Sequence, residues 1–302
     1  LKPAHALADC GRVDLVDIGL DLPEADILGF EAADVREHWP IPGRTDDKYT
    51  QGVTGVLAGS ATYPGAAILC TGAAVAATSG MVRYAGTAAA EVVSHAPEVI
   101  ATFDLASAGR VQAWVVGPGA GDDAGTVAEV LEADVPVLID ADGLRLADLD
   151  AVRARGAATL MTPHAGEAAA LLGVSREEVE GARLKWAREL AGEYRATVLL
   201  KGSTTVVAGP AGRAVRVNAT GTPWLATAGS GDVLSGLAGS LLASGLSALD
   251  AGSAAAYLHG LAGRFAADGA PAACGAGGEA CVRVPVVVAV GEVADPLIAK
   301  VA

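Results

Sequence analysis

The sequence predicts an α/β fold in which helices cover both faces of a mostly parallel central sheet. Short apolar runs alternate along the chain with stretches of helical periodicity. These runs are apolar throughout, as expected of strands that are buried on both faces. A glycine-rich or polar motif follows most of them, at the end of the strand where ligands bind in such sheets.

The predicted strands are five apolar runs followed by a hairpin. The hairpin consists of residues 204–208 and 214–217, because Gly209-Pro210-Ala211-Gly212 separates them with a turn sequence. The five preceding strands are predicted at residues 53–58, 111–116, 136–140, 159–161 and 197–200.

The predicted helices begin at recognisable start signals. Ser175 with Glu178, and Ser247 with Asp250, have the spacing of N-terminal capping pairs. We predict helices from Tyr63 to about Ser79, from Ala165 to Leu172, from Ser175 towards Gly192, from the Gly229–Asp232 turn onward, and from Ser247 through His259 to about Ala267.

The two ends of the chain differ from this pattern. Residues 12–20 alternate like a strand, and the acidic, Pro-bearing stretch up to Thr45 is interpreted as an exposed linker. One strand cannot form a domain, so it either joins the edge of the main sheet or ends a domain absent here. We therefore divide the chain into residues 1–45 and 46–302. Residues 269–278 are interpreted as a loop, and residues 284–301 as a strand or an amphipathic helix.

Composition excludes several functional classes. A formal net charge of −14 argues against a nucleic-acid partner, which requires a basic surface. Residues 51–82 carry no charge, but they are rich in Ala, Gly, Thr and Ser, so a membrane span is not predicted. The four cysteines form no CxxC pair and indicate reduced thiols in a cytoplasmic protein.

Ala228-Gly229-Ser230-Gly231-Asp232 is a glycine-rich turn that opens a helix. Glycines let backbone amides approach an anion, and the start of a helix adds unpaired N–H groups and a positive dipole end. Such a turn suits a phosphate that gains charge during transfer. The alternative is that Asp232 only caps the helix.

Four other loops are predicted to meet this turn at the carboxyl edge of the sheet. Because parallel strands end at the same edge, we expect one composite site. The loops are Gly117–Gly119, Asp140–Gly143, Thr162–Glu167 and Lys201–Thr205.

Several motifs in this order carry a family resemblance. TPHAGEAAALLG, LKGSTTVV and TGTPWLATAGSGDVLSG, with VVGPGAG and VLIDADGL upstream, resemble the ADP-dependent NAD(P)H-hydrate dehydratases of the ribokinase-like superfamily over about residues 46–268. Residues 6–21, ALADCGRVDLVDIGLD, resemble the end of the NAD(P)H-hydrate epimerase domain that precedes the dehydratase in many bacteria.

The resemblance implies an ADP-dependent dehydration of hydrated NADH or NADPH. Asp232 matches the aspartate that accepts the substrate hydroxyl proton, and Gly231 belongs to the anion hole. His164, Gly119 and Ala66 are implied to contact the hydrated nicotinamide nucleotide. The residues implied to contact the AMP portion of the nucleotide are Lys201, Gly202, Ser203, Thr204 and Thr205.

The family also implies Mg²⁺, with Glu167 as the candidate residue that organises it, ADP as co-substrate, and a homotetramer. Trp224 stands where the family commonly has glycine, and we expect its bulk to narrow the approach to the phosphate.

Each candidate residue also has a structural interpretation. Lys201 is then a solvated lysine at a strand end, and His164 a histidine that starts a helix. Asp140 and Asp142 hold their loop, and His259 is structural or lines the pocket.

Two other functions share the same motifs. The first is a ribokinase-like kinase of a vitamin-precursor alcohol, although relatives of that type carry Asn in the place of His164. The second is a non-catalytic nucleotide-binding regulator.

Overall fold

A computed structural model describes residues 16, 18–21, 25–210 and 215–267. Within these ranges ten strands form a single sheet. The strands are β1 (Ile27–Gly29), β2 (Val53–Leu57), β3 (Met81–Ala85), β4 (Ile100–Thr102), β5 (Ala113–Val116), β6 (Val137–Ile139), β7 (Thr159–Met161), β8 (Thr197–Leu200), β9 (Thr205–Ala208) and β10 (Val215–Asn218).

The helices of the same ranges lie between and after the strands. They are α1 (Ala32–His38), α2 (Pro64–Ala76), α3 (Ala89–His95), α4 (Ala124–Leu131), α5 (Asp142–Leu146), α6 (Leu149–Ala154), α7 (Ala165–Leu172), α8 (Arg176–Gly181), α9 (Arg183–Tyr194), α10 (Ser230–Ala243), α11 (Ala248–Ala267) and a 3-10 helix at Pro223–Leu225.

The strand order is β1-β10-β9-β8-β7-β6-β5-β2-β3-β4. Only β9 is antiparallel to its neighbours β8 and β10, and the other described pairs are parallel. The predicted parallel sheet and the β9–β10 hairpin are therefore confirmed. From β2 the chain proceeds outward to β3 and β4, then returns to β5 and continues through β6, β7 and β8 on the other side. The chain order reverses between β2 and β5, which is where α/β sheets form their ligand crevice.

Two hydrophobic cores lie on opposite faces of the sheet, which confirms the prediction of helices on both faces. Leu138 of β6 packs into the core that contains Leu237 and other residues of α10. Its neighbours Val137 and Ile139 face the second core, together with Val130 of α4. Successive side chains of a strand point to opposite faces, so each buried strand contributes to both cores.

Helix α10 is pressed against both α2 and the sheet. A Cβ atom on Gly236 would lie 2.0 Å from the carbonyl oxygen of Cys70, and one on Gly239 would lie 2.0 Å from Cγ2 of Val115. Only glycine allows backbones to approach this closely. This packing fixes the position of the first turn of α10 relative to the strands.

The region 175–192 contains two helices where the sequence predicted one. The capping pair of Ser175 and Glu178 is present at the start of α8. At Ala182 the backbone leaves the helical region, with φ −144° and ψ 47°. The break turns Arg183 inward, where its guanidinium donates to the carbonyl oxygens of Leu200 and Lys201.

The interpretation of residues 21–45 as an exposed linker was wrong. Strand β1 pairs in parallel with β10 at the edge of the sheet, and α1 follows it. Strand β1 is held by this pairing, and α1 is held by burial, because Val35 and the preceding Phe30 are packed in the core beside α11. The strand predicted at residues 12–20 is absent at its described positions 16 and 18–20, where Val16, Ile18 and Leu20 are exposed. The division at residues 45 and 46 stays a prediction.

Several predictions lie outside the described residues. These are the loop at 269–278, the strand or helix at 284–301, and the cysteines 10, 274 and 281. Among the helices that the structure describes, none has the length and apolar content needed to cross a membrane.

Candidate active site

A cavity of about 740 Å³ opens at the carboxyl edge of the sheet. Its walls come from the segments after β6, β7 and β8, from the first turn of α10 and from α8 and α11. The predicted residues His164, Glu167, Lys201, Gly231 and Asp232 all line it, as do Gly202, Ser203 and Thr205. The structure thus brings most of the predicted site residues together.

The turn before α10 has the conformation expected of a glycine-rich anion site. Gly229 is the N-cap with φ +87°, a left-handed conformation that favours glycine. Ser230 anchors the turn, because its Oγ donates to the carbonyl oxygens of Leu225 at 2.7 Å and Thr227 at 3.0 Å. Gly231 lies beside Lys201, since a Cβ atom there would be 3.6 Å from Nζ. The first turn of α10 therefore lies beside a cation.

Asp232 is not the cap of α10. It stands in the third helical position, and Gly229 occupies the cap. Among the described residues its carboxylate makes no hydrogen bond and no ion pair, although it lines the cavity. Burial is the main cause that raises the pKa of Asp232 to about 6; the nearby charge of Asp140 raises it further, and Lys201 works in the opposite direction. This is a free carboxylate whose pKa suits a general base.

Lys201 is held by a carboxylate from β6. Its Nζ lies 2.7 Å from Oδ1 of Asp140, and Oγ of Ser235 in α10 donates to Oδ2 of the same carboxylate at 2.7 Å. Burial lowers the pKa of Lys201, but the charges of Asp140 and Glu167 outweigh that effect and raise the pKa overall. The ammonium therefore remains charged beside the turn. Asp140 anchors it, so the interpretation that Asp140 only holds its loop was incomplete.

His164 begins α7 in a reciprocal cap with Glu167. The backbone N–H of Glu167 donates to Nδ1 of His164 at 3.0 Å, and Oε2 of Glu167 accepts from the backbone N–H of His164 at 2.7 Å. Because Nδ1 is an acceptor, the neutral ring carries its proton on Nε2. His164 is thus a helix cap, as its structural interpretation held, and it still presents an N–H donor on a cavity wall.

Lys201 and His164 are also joined through the backbone. They form a parallel bridge just beyond β7 and β8, and the N–H of Lys201 donates to the carbonyl oxygen of Pro163 at 2.9 Å. The two side chains therefore leave the sheet edge from adjacent positions.

The Lys201–Thr205 segment only partly faces the cavity. Gly202 packs on Arg183, where a Cβ atom would lie 2.3 Å from Nη2. Thr204 is fully buried and does not line the cavity. The role predicted for Thr204 stays a prediction.

Ala66 and Gly119 lie beside the main cavity, at the β2–β5 end of the same edge. A Cβ atom on Gly119 would be 2.7 Å from Cβ of Ala66, so the two residues are neighbours. The N–H of Gly59, after β2, donates to the carbonyl oxygen of Pro118 at 2.6 Å. Neither Ala66 nor Gly119 is among the residues that line the cavity, and their roles stay predictions.

Trp224 does not narrow the cavity, contrary to our expectation. Its side chain is 73% exposed, and its neighbours Pro223 and Leu225 line the wall instead. The 3-10 helix that contains it turns the indole outward. Of the residues to which no role was assigned, His259 lines the cavity with an Nε2 atom that lacks a partner, and burial lowers its pKa to about 4.

Arg176 and Glu180 also line the cavity, and sequence reasoning missed both. Arg176 and Glu180 are four positions apart in a predicted helix, and this spacing on one helical face is the only sequence feature that links them.

The chain is similar to known proteins in its sequence. A sequence model of the NAD(P)H-hydrate dehydratase family matches residues 54–275. A bifunctional NAD(P)H-hydrate repair enzyme of Mycobacterium tuberculosis is 66% identical over 251 residues, which are 82% of this chain and 52% of the relative. The chain thus spans about half the length of that relative. The ADP-dependent (S)-NAD(P)H-hydrate dehydratase of Neisseria meningitidis is 42% identical over 236 residues, 72% of this chain and 79% of that protein.

Solved structures with a similar fold include members of the same family. The ADP/ATP-dependent NAD(P)H-hydrate dehydratase of Bacillus subtilis, co-crystallised with ATP and Mg²⁺, superposes with a TM-score of 0.73 at 28% identity, over 85% of this chain and 96% of that one. A ribokinase-like superfamily protein of Enterococcus faecalis, 19% identical, has a TM-score of 0.77 over 91% of this chain and 99% of that one. The second likeness concerns the fold alone, which is ribokinase-like.

Proposed function

This chain belongs to the NAD(P)H-hydrate dehydratase family, and from that premise we propose that it uses ADP to dehydrate the hydrated form of NADH or NADPH. The products are NAD(P)H, AMP and phosphate. One observation carries the proposal: the unpaired carboxylate of Asp232 lies at the start of a helix, beside Gly231 and the paired Lys201.

The proposed reaction begins with proton transfer to Asp232. Hydroxide leaves poorly, so the substrate hydroxyl must first become a better leaving group. Asp232 accepts the hydroxyl proton while the oxygen attacks the terminal phosphorus of ADP, and the bond to the AMP oxygen breaks. The phosphate then departs with its electron pair, a proton leaves the adjacent ring carbon, and the double bond of NAD(P)H returns.

The first turn of α10 stabilises the charge that develops on the phosphate. Its unpaired N–H groups and dipole end act in a partly water-excluded site, where they contribute more than in water. Lys201 adds a fixed positive charge, because Asp140 holds it in place. Such an arrangement supports transfer of the phosphoryl group rather than mere binding.

The two substrates are proposed to enter from opposite ends of the sheet edge. The nucleotide takes the β8 end, with its AMP portion on the Lys201–Thr205 segment. The hydrated dinucleotide takes the end near the reversal between β2 and β5, where Ala66 and Gly119 touch. His164 lies between them and offers its Nε2 proton to the hydrated nicotinamide.

We propose Mg²⁺ as the accompanying ion. Glu167 lines the cavity 3.9 Å from Lys201 Nζ and is the candidate ligand, whereas both carboxylate oxygens of Asp140 are already bonded to Lys201 and Ser235. Mg²⁺ typically takes one or two carboxylates and completes its shell with phosphate oxygens and water. In the part of the chain that the structure describes, no three acidic, histidine or cysteine side chains form a metal cluster, so the phosphates must supply much of that shell. When bound, the ion withdraws charge from the phosphate under attack.

The kinase alternative is less well supported. A kinase would retain the phosphate on its product, whereas the family to which the chain belongs consists of dehydratases. The homotetramer, the cytoplasmic location and the epimerase tail remain predictions.

The test is to incubate the protein with Mg²⁺ and hydrated NADH or NADPH, and to follow the return of NAD(P)H absorbance. Parallel reactions contain ADP, ATP or no nucleotide. We expect recovery only with a nucleotide, together with one AMP and one phosphate per turnover in the ADP reaction. The proposal would be overturned if NAD(P)H absorbance returned equally without a nucleotide, or if a stable phosphorylated product accumulated.

A further inference from the structure

The cavity that we assign to two polyanionic substrates is itself rich in negative charge. Four carboxylates line it, whereas Lys201 and Arg176 are its only lining arginine or lysine residues among those the structure describes. Lys201 is already bound to Asp140 at 2.7 Å. Arg176 is therefore the one lining side chain whose positive charge is not already bound to a carboxylate among the described residues.

Arg176 is the cation still available. It stands at the first position of α8, directly after the Ser175 cap, and its side chain is exposed on the cavity wall. Within the described ranges its guanidinium makes no hydrogen bond and no ion pair. Arg183, by contrast, is buried and bonded to Glu180, Leu200 and Lys201.

The position of Arg176 shows which substrate it faces. Glu180 lies one helical turn further along α8 and also lines the cavity. Arg183 joins Glu180 to the backbone at Lys201, and Gly202 packs on the same guanidinium. The wall that carries Arg176 is therefore continuous with the Lys201–Thr205 segment at the β8 end of the edge, away from Ala66 and Gly119.

We propose that Arg176 binds a phosphate oxygen of the nucleoside diphosphate. This inference rests on the proposed function, because it uses the nucleotide end of the cavity defined there. A guanidinium binds phosphate with two parallel N–H donors and keeps its charge at every physiological pH. Arg176 supplies the nucleotide with the charge that the Asp140-bound Lys201 provides only in part.

The test is a set of calorimetric titrations of the protein with ADP, AMP and adenosine, in the presence of Mg²⁺. The variants are Arg176→Gln, Arg176→Lys and Arg176→Glu. The control is Arg188→Gln, which removes the same charge from an exposed position of α9 that does not line the cavity. Arg176 is exposed, so these variants are expected to fold like the parent chain.

We expect Arg176→Gln to weaken ADP binding about 5- to 20-fold, as is typical for loss of an exposed charge-assisted contact. Lysine should restore part of the affinity and glutamate should weaken it further, while adenosine binding and the Arg188→Gln control stay unchanged. The loss of ADP affinity in Arg176→Gln should become smaller as the salt concentration rises, because ions screen an exposed charge contact.

Two results would overturn the inference. The first is an ADP affinity that Arg176→Gln leaves unchanged. The second comes from the absorbance assay: Arg176→Gln raises the KM for hydrated NADPH and leaves the KM for hydrated NADH unchanged. That result would place Arg176 on the extra phosphate of the dinucleotide. If the parent chain binds ADP but does not dehydrate the hydrate, only the proposed function fails. If the parent binds no ADP, both fail.

Discussion

Lys201 Nζ lies 2.7 Å from Oδ1 of Asp140, a carboxylate that is 1% exposed. The two partners act on Asp232 with opposite sign, since Asp140 raises the pKa of Asp232 and Lys201 lowers it. The Lys201–Asp140 ion pair therefore fixes the Lys201 ammonium and also modifies the pKa of Asp232, which burial does most to raise. Several predictions depend on this relationship.

The pH dependence of turnover should follow Asp232. Its pKa is about 6, so the carboxylate becomes able to accept a proton as pH rises through that value. We expect kcat/KM for the hydrated dinucleotide to fall about tenfold per pH unit well below pH 6 and to level off above pH 7. Initial rates measured from pH 5 to pH 8 would show this fall in kcat/KM at acidic pH, the acid limb of the profile. A flat profile over that interval would exclude Asp232 as the base.

Asp232→Asn should abolish turnover and stabilise the fold at neutral pH. Because the pKa of Asp232 is higher in the folded state than its ordinary value of 3.8, ionisation costs folding free energy that grows between about pH 4 and pH 6 and stays constant above. Removing the charge should raise the free energy of unfolding by on the order of 1–3 kcal/mol at pH 7.5 and by little at pH 4. Denaturant titrations at the two pH values check this difference. ADP binding serves as the control for an intact site.

Asp140→Asn should shift the acid limb to lower pH. Removing the charge of Asp140 removes one cause of the raised pKa of Asp232. It also leaves Lys201 with only the more distant carboxylate of Glu167, 3.9 Å away, which should lower the free energy of unfolding by roughly 2–4 kcal/mol. The pH dependence of residual kcat/KM and a denaturant titration measure the two effects. Ser235→Ala, which removes only the hydrogen bond to Asp140 and keeps its charge, is expected to lower the free energy of unfolding less and to leave the pH dependence in place.

Gly202→Ala should weaken nucleotide binding. The added Cβ atom would meet Nη2 of Arg183 at 2.3 Å, and Arg183 cannot yield without breaking its bonds to Leu200 and Lys201. We expect the KM for ADP to rise about tenfold, with a smaller change in the KM of the hydrated dinucleotide. Gly181→Ala is the matched control, because nothing lies within 4 Å of its added Cβ atom. Equal KM values for ADP in Gly202→Ala and Gly181→Ala would contradict the idea that the contact between Gly202 and Arg183 shapes the nucleotide site.

Trp224→Gly should leave catalysis almost unchanged. The indole is 73% exposed and lies outside the cavity wall. We expect kcat/KM within about twofold of the parent chain, as for other surface substitutions. A large gain in kcat/KM would mean that the indole obstructs the phosphate after all.

Much of this fold was predictable because local patterns and burial agree. Strands β5, β6 and β8 are buried at every position, and strands of a sheet that is covered on both faces are mostly apolar. The start of α8 was equally predictable, since Ser175 and Glu178 form their cap within four residues of chain. The strand β1 was missed because a three-residue strand has almost no pattern of its own and is held by pairing with β10.

In the site too, local features were predictable from sequence and long-range contacts were not. Gly229, Gly231 and Asp232 were identified from sequence, because a glycine-rich turn before a helix is a local feature. The bond between Lys201 and Asp140 joins residues 61 positions apart, and no local pattern encodes it. The free guanidinium of Arg176 was likewise invisible, since its availability depends on which neighbours the fold leaves unpaired.

The sequence by itself determined seven of the ten described strands, the glycine-rich turn and the family motifs, because these depend on residues that are near one another in the chain. Only the tertiary structure decided that Asp232 has a raised pKa and no partner among the described residues, that Asp140 holds Lys201, and that Trp224 faces outward. The pKa of a carboxylate depends on burial and on charges that the folded chain brings close, and both exist only once the sheet and α10 are packed together.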